Sequence, residues 1–245
     1  MNGFSHLINI IYPPRCHICG RFLPTDKYHH LSHYICDDCR ASLIPVTNPI
    51  CIICSLPFAT SKGQDHLCEN CMRNTPWYDF ARAPYLYSGL IMESIQRFKY
   101  RSETYLASYL GALLSSFAGE WIKNPKDFIV MPVPIHRRRL RERKFNQSLV
   151  LARILTSDLG TKLNYLSLIR NRDTKAQTGL NREERRKNVK NAFSITDKQV
   201  TEGKEILLVD DVFTTGHTLN ECAKTLKKSG ARRVICLTLA RTLFD

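Results

Sequence analysis

The feature that most constrains the fold is a short apolar segment, residues 206–209, which Asp210 and Asp211 follow directly. Four apolar residues in a row predict a strand that is buried on both faces, as in a parallel sheet. A small polar loop and an amphipathic helix come next. Ligands of open α/β sheets bind at the carboxyl ends of the strands, so this pattern predicts a ligand site at the turn.

The loop after the two aspartates has the composition of a phosphate site. It offers backbone N–H groups and three hydroxyls at the start of a helix, where the helix dipole favours an anion. Its residues are Thr214, Thr215, Gly216, His217 and Thr218. Asp210 and Asp211 would repel a phosphate and are suited to sugar hydroxyls, or to a cation held through water. Phosphate beside vicinal hydroxyls predicts a ribose 5-phosphate.

Two other kinds of protein also place acids after an apolar strand. A Walker B strand requires a G-x-x-x-x-G-K-[ST] loop upstream, and this sequence has none. A receiver domain spaces its acids differently and lacks the threonine-rich loop. The ribose-phosphate interpretation is therefore favoured. Residues 207–218 resemble the phosphoribosyl pyrophosphate (PRPP) signature of type I phosphoribosyltransferases, with both acids and the whole loop present.

Eight of the ten cysteines form four C-x-x-C pairs near the start of the chain. Two such pairs complete a tetrahedral four-cysteine zinc site, so the sequence predicts two structural zinc ions. The ligands are Cys16, Cys19, Cys36, Cys39, Cys51, Cys54, Cys68 and Cys71. We favour sequential pairing of the motifs, while the spacing also permits an interleaved arrangement. His17 and His66 are interpreted as bystanders.

The zinc sites are expected to fold a small module rather than to catalyse. A zinc ion held by four cysteines has no open coordination position, and a module this short cannot bury much of a core without metal. Such ribbons dock nucleic acid or brace a neighbouring domain, and the sequence leaves both roles open. We predict a zinc module at residues 1–78 and a second domain at residues 79–245.

The chain of 245 residues has a net charge of +14, which is unevenly distributed. Residues 1–78 hold six Lys/Arg and five Asp/Glu, so nearly all of the excess lies in the second domain. A clustered basic surface predicts a phosphate-rich partner, either a polyphosphate or nucleic acid. No apolar run reaches the length of a membrane span, and no signal peptide is apparent. We therefore expect a cytoplasmic protein without membrane insertion.

Two basic segments are candidates for a pyrophosphate site. Residues 136–144 carry six Lys/Arg against one Glu and follow a predicted strand at 127–134. A basic turn between that strand and a helix capped by Asn146 favours pyrophosphate binding. Residues 170–190 carry eight Lys/Arg against three acids between two short predicted strands, at 165–169 and 192–195. This loop is either solvated surface or a lid over a polyphosphate.

Most of the chain resembles the ComF/GntX family. The matching segments are the paired C-x-x-C ribbons and residues 95–100, 133–147, 177–189 and 239–242, with Lys144 where the family usually has glycine. The resemblance implies an α/β protein in which a small N-terminal double zinc ribbon precedes a C-terminal parallel-sheet type I phosphoribosyltransferase-like domain. It also implies a link to natural competence, that is, to DNA transformation and the handling of imported single-stranded DNA.

Two functional hypotheses follow from these patterns. In the first, the protein is a phosphoribosyltransferase: the 214–218 loop holds the 5-phosphate of PRPP, and Asp210 and Asp211 hold its ribose. Magnesium pyrophosphate would leave toward Pro134, His136, Arg137, Arg138 and Arg141, and Arg182, Arg185 and Arg186 would close over it. No motif indicates the acceptor of the phosphoribosyl group. A phosphoribosyltransferase of nucleotide salvage is an alternative to the competence role. In the second hypothesis, the pocket only senses PRPP while the basic face binds single-stranded DNA, with other competence proteins as further partners.

Overall fold

The computed structural model describes residues 12–24, 34–60, 62–101, 103–172 and 182–243. Over these residues it contains a six-stranded parallel sheet and a separate antiparallel hairpin. The strands are β1 (Phe80–Arg82), β2 (Tyr85–Leu86), β3 (Phe128–Pro132), β4 (Lys162–Leu163), β5 (Leu168–Arg170), β6 (Phe193–Ile195), β7 (Glu205–Phe213) and β8 (Arg233–Arg241). The sheet order is β1-β8-β7-β3-β4, with β2 also paired to β8, and β5 and β6 form the hairpin.

The helices of the described residues flank this sheet. They are α1 (Asp37–Ala41), α2 (Glu69–Arg73), α3 (Gly89–Tyr100), α4 (Leu106–Trp121), α5 (Arg137–Arg143), α6 (Gln147–Leu159), α7 (Arg182–Val189) and α8 (His217–Lys228). Asn146 caps α6 as predicted, because its side chain accepts a hydrogen bond from the Ser148 N–H. Ser88 occupies the N-cap position of α3, but its side chain makes no capping bond.

Strand β7 lies in the middle of the sheet, with β3 on one side and β8 on the other. Its residues 206–209 are at most 1% exposed, so the prediction of a strand buried on both faces is confirmed. The strand also runs further than the apolar segment indicates. Pairing of Asp210 with Thr238 and of Phe213 with Arg241 continues the ladder through both aspartates. The carboxylates therefore stand on a rigid strand rather than on a loop.

Two local predictions need correction. The basic segment 136–144 is a helix, α5, because arginine is a good helix former and the His136 ring caps the first turn by accepting from Arg138 N–H. The strand predicted at 165–169 lies at 168–170. The edge strands β1 and β2 both pair with β8 and are separated at Pro84, which lacks a backbone donor.

Each face of the sheet packs against one of the two cysteine clusters. Cys16 and Cys36 join the core formed by α3, α4 and α6, while Cys51 and Cys71 join the core beneath α8. The N-terminal ribbons therefore straddle the sheet, one on each face, and brace it. The division at residue 78 stays a prediction, since residues from both sides of it contribute to both cores.

Lys144 ends α5 in the left-handed region, with a φ of +66°. Glycine adopts this conformation freely, whereas a residue with a Cβ adopts it at a cost. The resemblance to the family predicts glycine at this position, and the backbone shows the physical reason for that preference.

We expect Lys144→Gly to stabilise the protein by about 0.5–1 kcal/mol, because it relieves the strained φ at the end of α5. The matched control is Arg141→Gly inside the same helix, which should destabilise by about 1 kcal/mol. The midpoint of thermal unfolding of the zinc-loaded protein measures both effects. A lower midpoint for Lys144→Gly than for the wild type would contradict the prediction.

Candidate functional site: metal clusters and the carboxyl edge of the sheet

The eight predicted cysteine ligands form two clusters of four, and the sequential pairing is confirmed. Cys16, Cys19, Cys36 and Cys39 make one cluster, and Cys51, Cys54, Cys68 and Cys71 make the other. Within each cluster the four sulfur atoms lie within 4.8 Å of one another. Neither cluster includes His17 or His66, and His66 instead stacks on Phe58 with ring centroids 3.8 Å apart.

The geometry of both clusters fits zinc. The Cys19 and Cys36 sulfurs are 3.7 Å apart, as are those of Cys54 and Cys68. A tetrahedral ion with Zn–S bonds of about 2.3 Å requires sulfurs separated by about 3.8 Å. In the second cluster the N–H groups of Cys54 and Cys68 also donate to the Cys51 sulfur, which stabilises a thiolate there. The two clusters are therefore consistent with two zinc ions.

Asp210 is fixed by hydrogen bonds to one of its two carboxylate oxygens. The Ser148 hydroxyl, in the first turn of α6, donates to Asp210 Oδ1 at 2.8 Å. The backbone N–H of Asp211 donates to the same oxygen at 3.0 Å. Asp210 also lines a small cleft, so a carboxylate held in one orientation faces the space where a ligand would lie.

Asp211 forms a buried ion pair with Lys99, in the last turn of α3. Lys99 Nζ lies 2.8 Å from Asp211 Oδ2, and the two side chains are only 15% and 10% exposed. Burial disfavours the charged form of Lys99, but the two neighbouring aspartates outweigh it and raise the pKa of Lys99. Removing one member of such a pair typically costs about 3–5 kcal/mol.

The two aspartates compete for this single cation. Burial and the charge of Asp211 raise the pKa of Asp210 to about 7, from an ordinary value of 3.8. The hydrogen bond from Ser148 and the charge of Lys99 act in the opposite direction and do not outweigh them. Asp210 therefore exchanges a proton near neutral pH, and a hydroxyl or cation placed beside it would favour the ionised form.

The loop between β7 and α8 is shaped by contact between Gly216 and the ring of Phe213. Gly216 has a φ of +73°, and a Cβ added to it would lie 2.6 Å from Phe213 Cζ. Only glycine fits this close approach. It places the loop over the Phe213 ring, and α8 then begins at His217. The predicted phosphate loop is thus at the start of a helix.

The five loop residues divide between two clefts. Thr214, Gly216 and Thr218 line a cleft of about 120 Å³ together with Lys99 and both aspartates. Thr215, Gly216 and His217 line a larger cleft of about 690 Å³, whose other wall is α2 and the segment from Asn74 to Tyr78 of the zinc module. The acids and part of the loop therefore line one cleft, and the remaining part of the loop faces the ribbon.

The predicted pyrophosphate residues lie at the same edge of the sheet as the aspartates. β3 is in register with β7, and Val133 N–H donates to Val209 O at 2.8 Å, so the segment after β3 emerges beside the acids. Pro134 and His136 are half-buried there, whereas Arg137, Arg138 and Arg141 are exposed on α5. Arg138 Nε lies 3.3 Å from Glu142 on the same helix.

The predicted lid residues are only partly described. Arg182, Arg185 and Arg186 lie in α7, which packs against α8, but their side chains are outside the described part of the chain. Thr174, Gln177 and Gly179 also lie outside the described residues. Val189, at the end of α7, lines the larger cleft.

Two residues of the site were missed by the sequence analysis. No sequence motif assigns a site role to Lys99 or to Ser148. Both touch the aspartates only through the tertiary fold, since Lys99 is far from Asp211 in sequence and Ser148 is far from Asp210. The position of Lys99 within the family-like segment 95–100 was the one available signal.

Comparison with known proteins agrees with this architecture. Residues 7–77 match the double zinc ribbon domain family, and residues 146–243 match the phosphoribosyl transferase domain family. Competence protein F of Haemophilus influenzae is 30% identical over 227 residues, covering 85% of this chain and 97% of that protein. Competence protein ComFC of Bacillus subtilis is 30% identical over 223 residues, covering 85% and 84%. DNA utilization protein YhgH of Escherichia coli O157:H7 is 32% identical over 221 residues, covering 87% and 93%.

Fold and site together define a protein in which a double zinc ribbon is joined to a parallel-sheet domain of the phosphoribosyltransferase type. The relatives then identify the family within this class of protein. The chain belongs to the ComF family, which includes Competence protein F and ComFC. Among the helices of the described residues, none combines the length and the apolar character that crossing a bilayer demands.

We expect Asp210→Asn to stabilise the ligand-free protein at pH 8 by about 1–3 kcal/mol, and to lose this advantage toward pH 4. The folded-state pKa of Asp210 is raised to about 7, so the wild type loses stability as pH rises from about 4 through 7. Asparagine keeps the acceptor for Ser148 and carries no charge. Denaturation midpoints across this pH range measure the difference.

The control for this experiment is Asp127→Asn, because Asp127 is exposed in the turn just before β3, at the end of that strand opposite the cleft. It should leave the slope of stability against pH unchanged. An Asp210→Asn curve parallel to the wild-type curve would show that Asp210 does not titrate in this range.

Proposed function

We propose that this protein binds PRPP with magnesium and transfers its phosphoribosyl group, and that it acts in the cytoplasmic handling of imported single-stranded DNA. The observation that carries the proposal is the small cleft in which Asp210, Asp211 and Lys99 face the glycine-turned loop at the start of α8. A carboxylate pair beside the N-terminal end of a helix, where the helix dipole favours an anion, matches a ribose 5-phosphate, which carries hydroxyls and an anion.

In this proposal each group of residues at the carboxyl edge of the sheet binds a different part of PRPP. The 214–218 loop holds the 5-phosphate through backbone N–H groups, and Asp210 Oδ2 and the Asp211 carboxylate accept from the ribose hydroxyls. The basic residues after β3, from His136 to Arg141, receive magnesium pyrophosphate as the bond to the sugar breaks. Arg182, Arg185 and Arg186 then close over the leaving group. Such a reaction depends on positioning and on stabilising charge.

The cellular role is supported by the relatives. Two of them are named competence proteins and a third is named a DNA utilization protein, and each aligns over at least 84% of its own length. A base, a nucleotide and an oligonucleotide are the candidate acceptors of the phosphoribosyl group.

We expect wild-type protein to bind magnesium PRPP saturably by calorimetry, and the double variant Asp210→Asn/Asp211→Asn to bind it about tenfold or more weakly, because hydrogen bonds to charged groups are lost. A pyrophosphate-release assay with bases and oligonucleotides then tests turnover. The control is Asp127→Asn/Asp158→Asn, which removes two exposed carboxylates away from the cleft.

The outcomes separate the parts of the proposal. Unchanged affinity in the Asp210/Asp211 double variant would contradict the site. Saturable binding without pyrophosphate release for any acceptor would contradict the transferase activity and leave a PRPP sensor.

A second candidate function, binding of single-stranded DNA, is favoured by one feature. Trp77 is 46% exposed on the wall of the larger cleft, opposite the 215–217 segment of the loop. An exposed tryptophan is a common platform for stacking bases. Tyr100 is also exposed and lies beneath the Arg143 guanidinium, whereas Phe145 packs inward on Phe98.

We expect an oligonucleotide to quench the fluorescence of Trp77, with an affinity that falls steeply as salt is raised. The chain has two tryptophans, so Trp121→Phe leaves Trp77 as the only emitter. Trp77→Ala should weaken binding, while Tyr165→Ala, an equally exposed aromatic near the hairpin, should not. Binding without any change in Trp77 emission would exclude this cleft as the DNA site.

A further inference from the structure

Arg241, the last residue of β8, is fully buried between the second cysteine cluster and the phosphate loop. It is 0% exposed, which is rare for an arginine unless its guanidinium is well paired. Its Nη1 donates to the carbonyl oxygen of Cys54, a predicted zinc ligand, and its Nε donates to Thr242 O at 3.2 Å. The guanidinium therefore binds the backbone of the metal-binding turn directly.

The other side of the same guanidinium lies against Phe213. Arg241 Cζ is 5.0 Å from the centre of the Phe213 ring, and the two residues are paired in the β7–β8 ladder. Thr242 N–H also donates to Phe213 O at 2.9 Å. The edge of the Tyr78 ring packs against Phe213, with the two centroids 6.2 Å apart. Phe213 is held on several sides and is 2% exposed.

Phe213 in turn forms the floor of the loop. Its ring fills the space where a side chain at position 216 would lie, with Cζ only 2.6 Å from an added Cβ. A shift of the ring would move Gly216 and therefore the N–H groups that follow it at the start of α8. Packed interiors transmit such displacements because they contain little free volume.

We propose that Arg241 is a positioning residue that couples the second zinc site to the phosphate loop through Phe213 and Gly216. Zinc bound by four thiolates leaves two net negative charges, which the buried guanidinium partly balances. The ion holds the turn between Cys51 and Cys54, the turn holds Arg241, and Arg241 holds the ring under the loop. Only the last step, in which the loop binds phosphate, rests on the proposed function.

The chain offers a matched control for Arg241. Arg82 binds the same metal turn, since its Nη1 donates to Ile52 O at 3.1 Å, but it stacks on Phe80 rather than on Phe213. Removing Arg82 therefore loses a guanidinium bond to the turn without disturbing the floor of the loop.

The first arm of the test measures ligand affinity in zinc-loaded protein. We expect Arg241→Met to retain two zinc ions per chain by mass spectrometry and to bind magnesium PRPP about tenfold or more weakly, while Arg82→Met binds within about twofold of wild type. Equal affinities for Arg241→Met and wild type would overturn the coupling, and so would equal losses in both variants.

The second arm needs no PRPP, so it separates the coupling from the proposed function. Coupling between two sites is reciprocal. Gly216→Ala pushes the Phe213 ring toward Arg241, and we expect it to speed the release of one of the two zinc ions to a chromogenic chelator. Combined with Arg241→Met, Gly216→Ala should add nothing further, because the link is already broken.

Each result of this second arm either supports or contradicts coupling between the loop and the second zinc site. Unchanged zinc release in Gly216→Ala, or an additive effect in the double variant, would show that the loop and the metal turn are independent. Arg241→Met could be recovered without its second zinc ion. Zinc release from Gly216→Ala then decides the test by itself, because this variant keeps Arg241. If wild-type protein fails to bind PRPP, the proposed function is wrong, and the coupling still stands or falls on zinc release.

Discussion

The parallel pairing of β7 between β3 and β8 is the constraint on which the rest of the structure depends. Hydrogen bonds on both sides hold β7 from Glu205 onward, and on the β8 side they continue to Phe213. Because all strands of this sheet run in the same direction, their carboxyl ends meet at one edge. The acids of β7, the basic residues after β3 and the end of β8 are therefore neighbours, although they are far apart in sequence.

The site at this edge carries an uneven balance of buried charge. One ammonium, that of Lys99, stands against two carboxylates, and it pairs directly with Asp211. Among the described residues, Asp210 has no direct cationic partner of its own at this edge, and burial together with the charge of Asp211 raises its pKa to about 7. A ligand that brings hydroxyl donors or a cation stabilises a site with this excess of buried negative charge. The carboxylates are already held in place before such a ligand binds.

The zinc module packs directly against the sheet that carries this site. One cysteine cluster packs on each face of the sheet. The module also bonds to the edge strands, since Leu86 N–H donates to Ile44 O and Ala81 N–H donates to Ile53 O. The second cluster reaches the site most directly, because the carbonyl of Cys54 binds Arg241 and the guanidinium packs on the ring below the loop. Of the two roles that the sequence left open for the ribbons, this packing supports bracing of the neighbouring domain.

The sequence by itself determined the local chemistry. The spacing of the cysteines predicted both clusters and favoured their sequential pairing, the apolar run predicted β7, and the order of acids, threonines and glycine predicted the loop. Only the tertiary structure decided which distant residues complete the site. Lys99, Ser148 and Arg241 reach it through strand pairing and helix packing, which have no signature in short-range sequence patterns. Likewise, the left-handed backbone at Lys144 and the contact between Gly216 and Phe213 became visible only when the chain was folded.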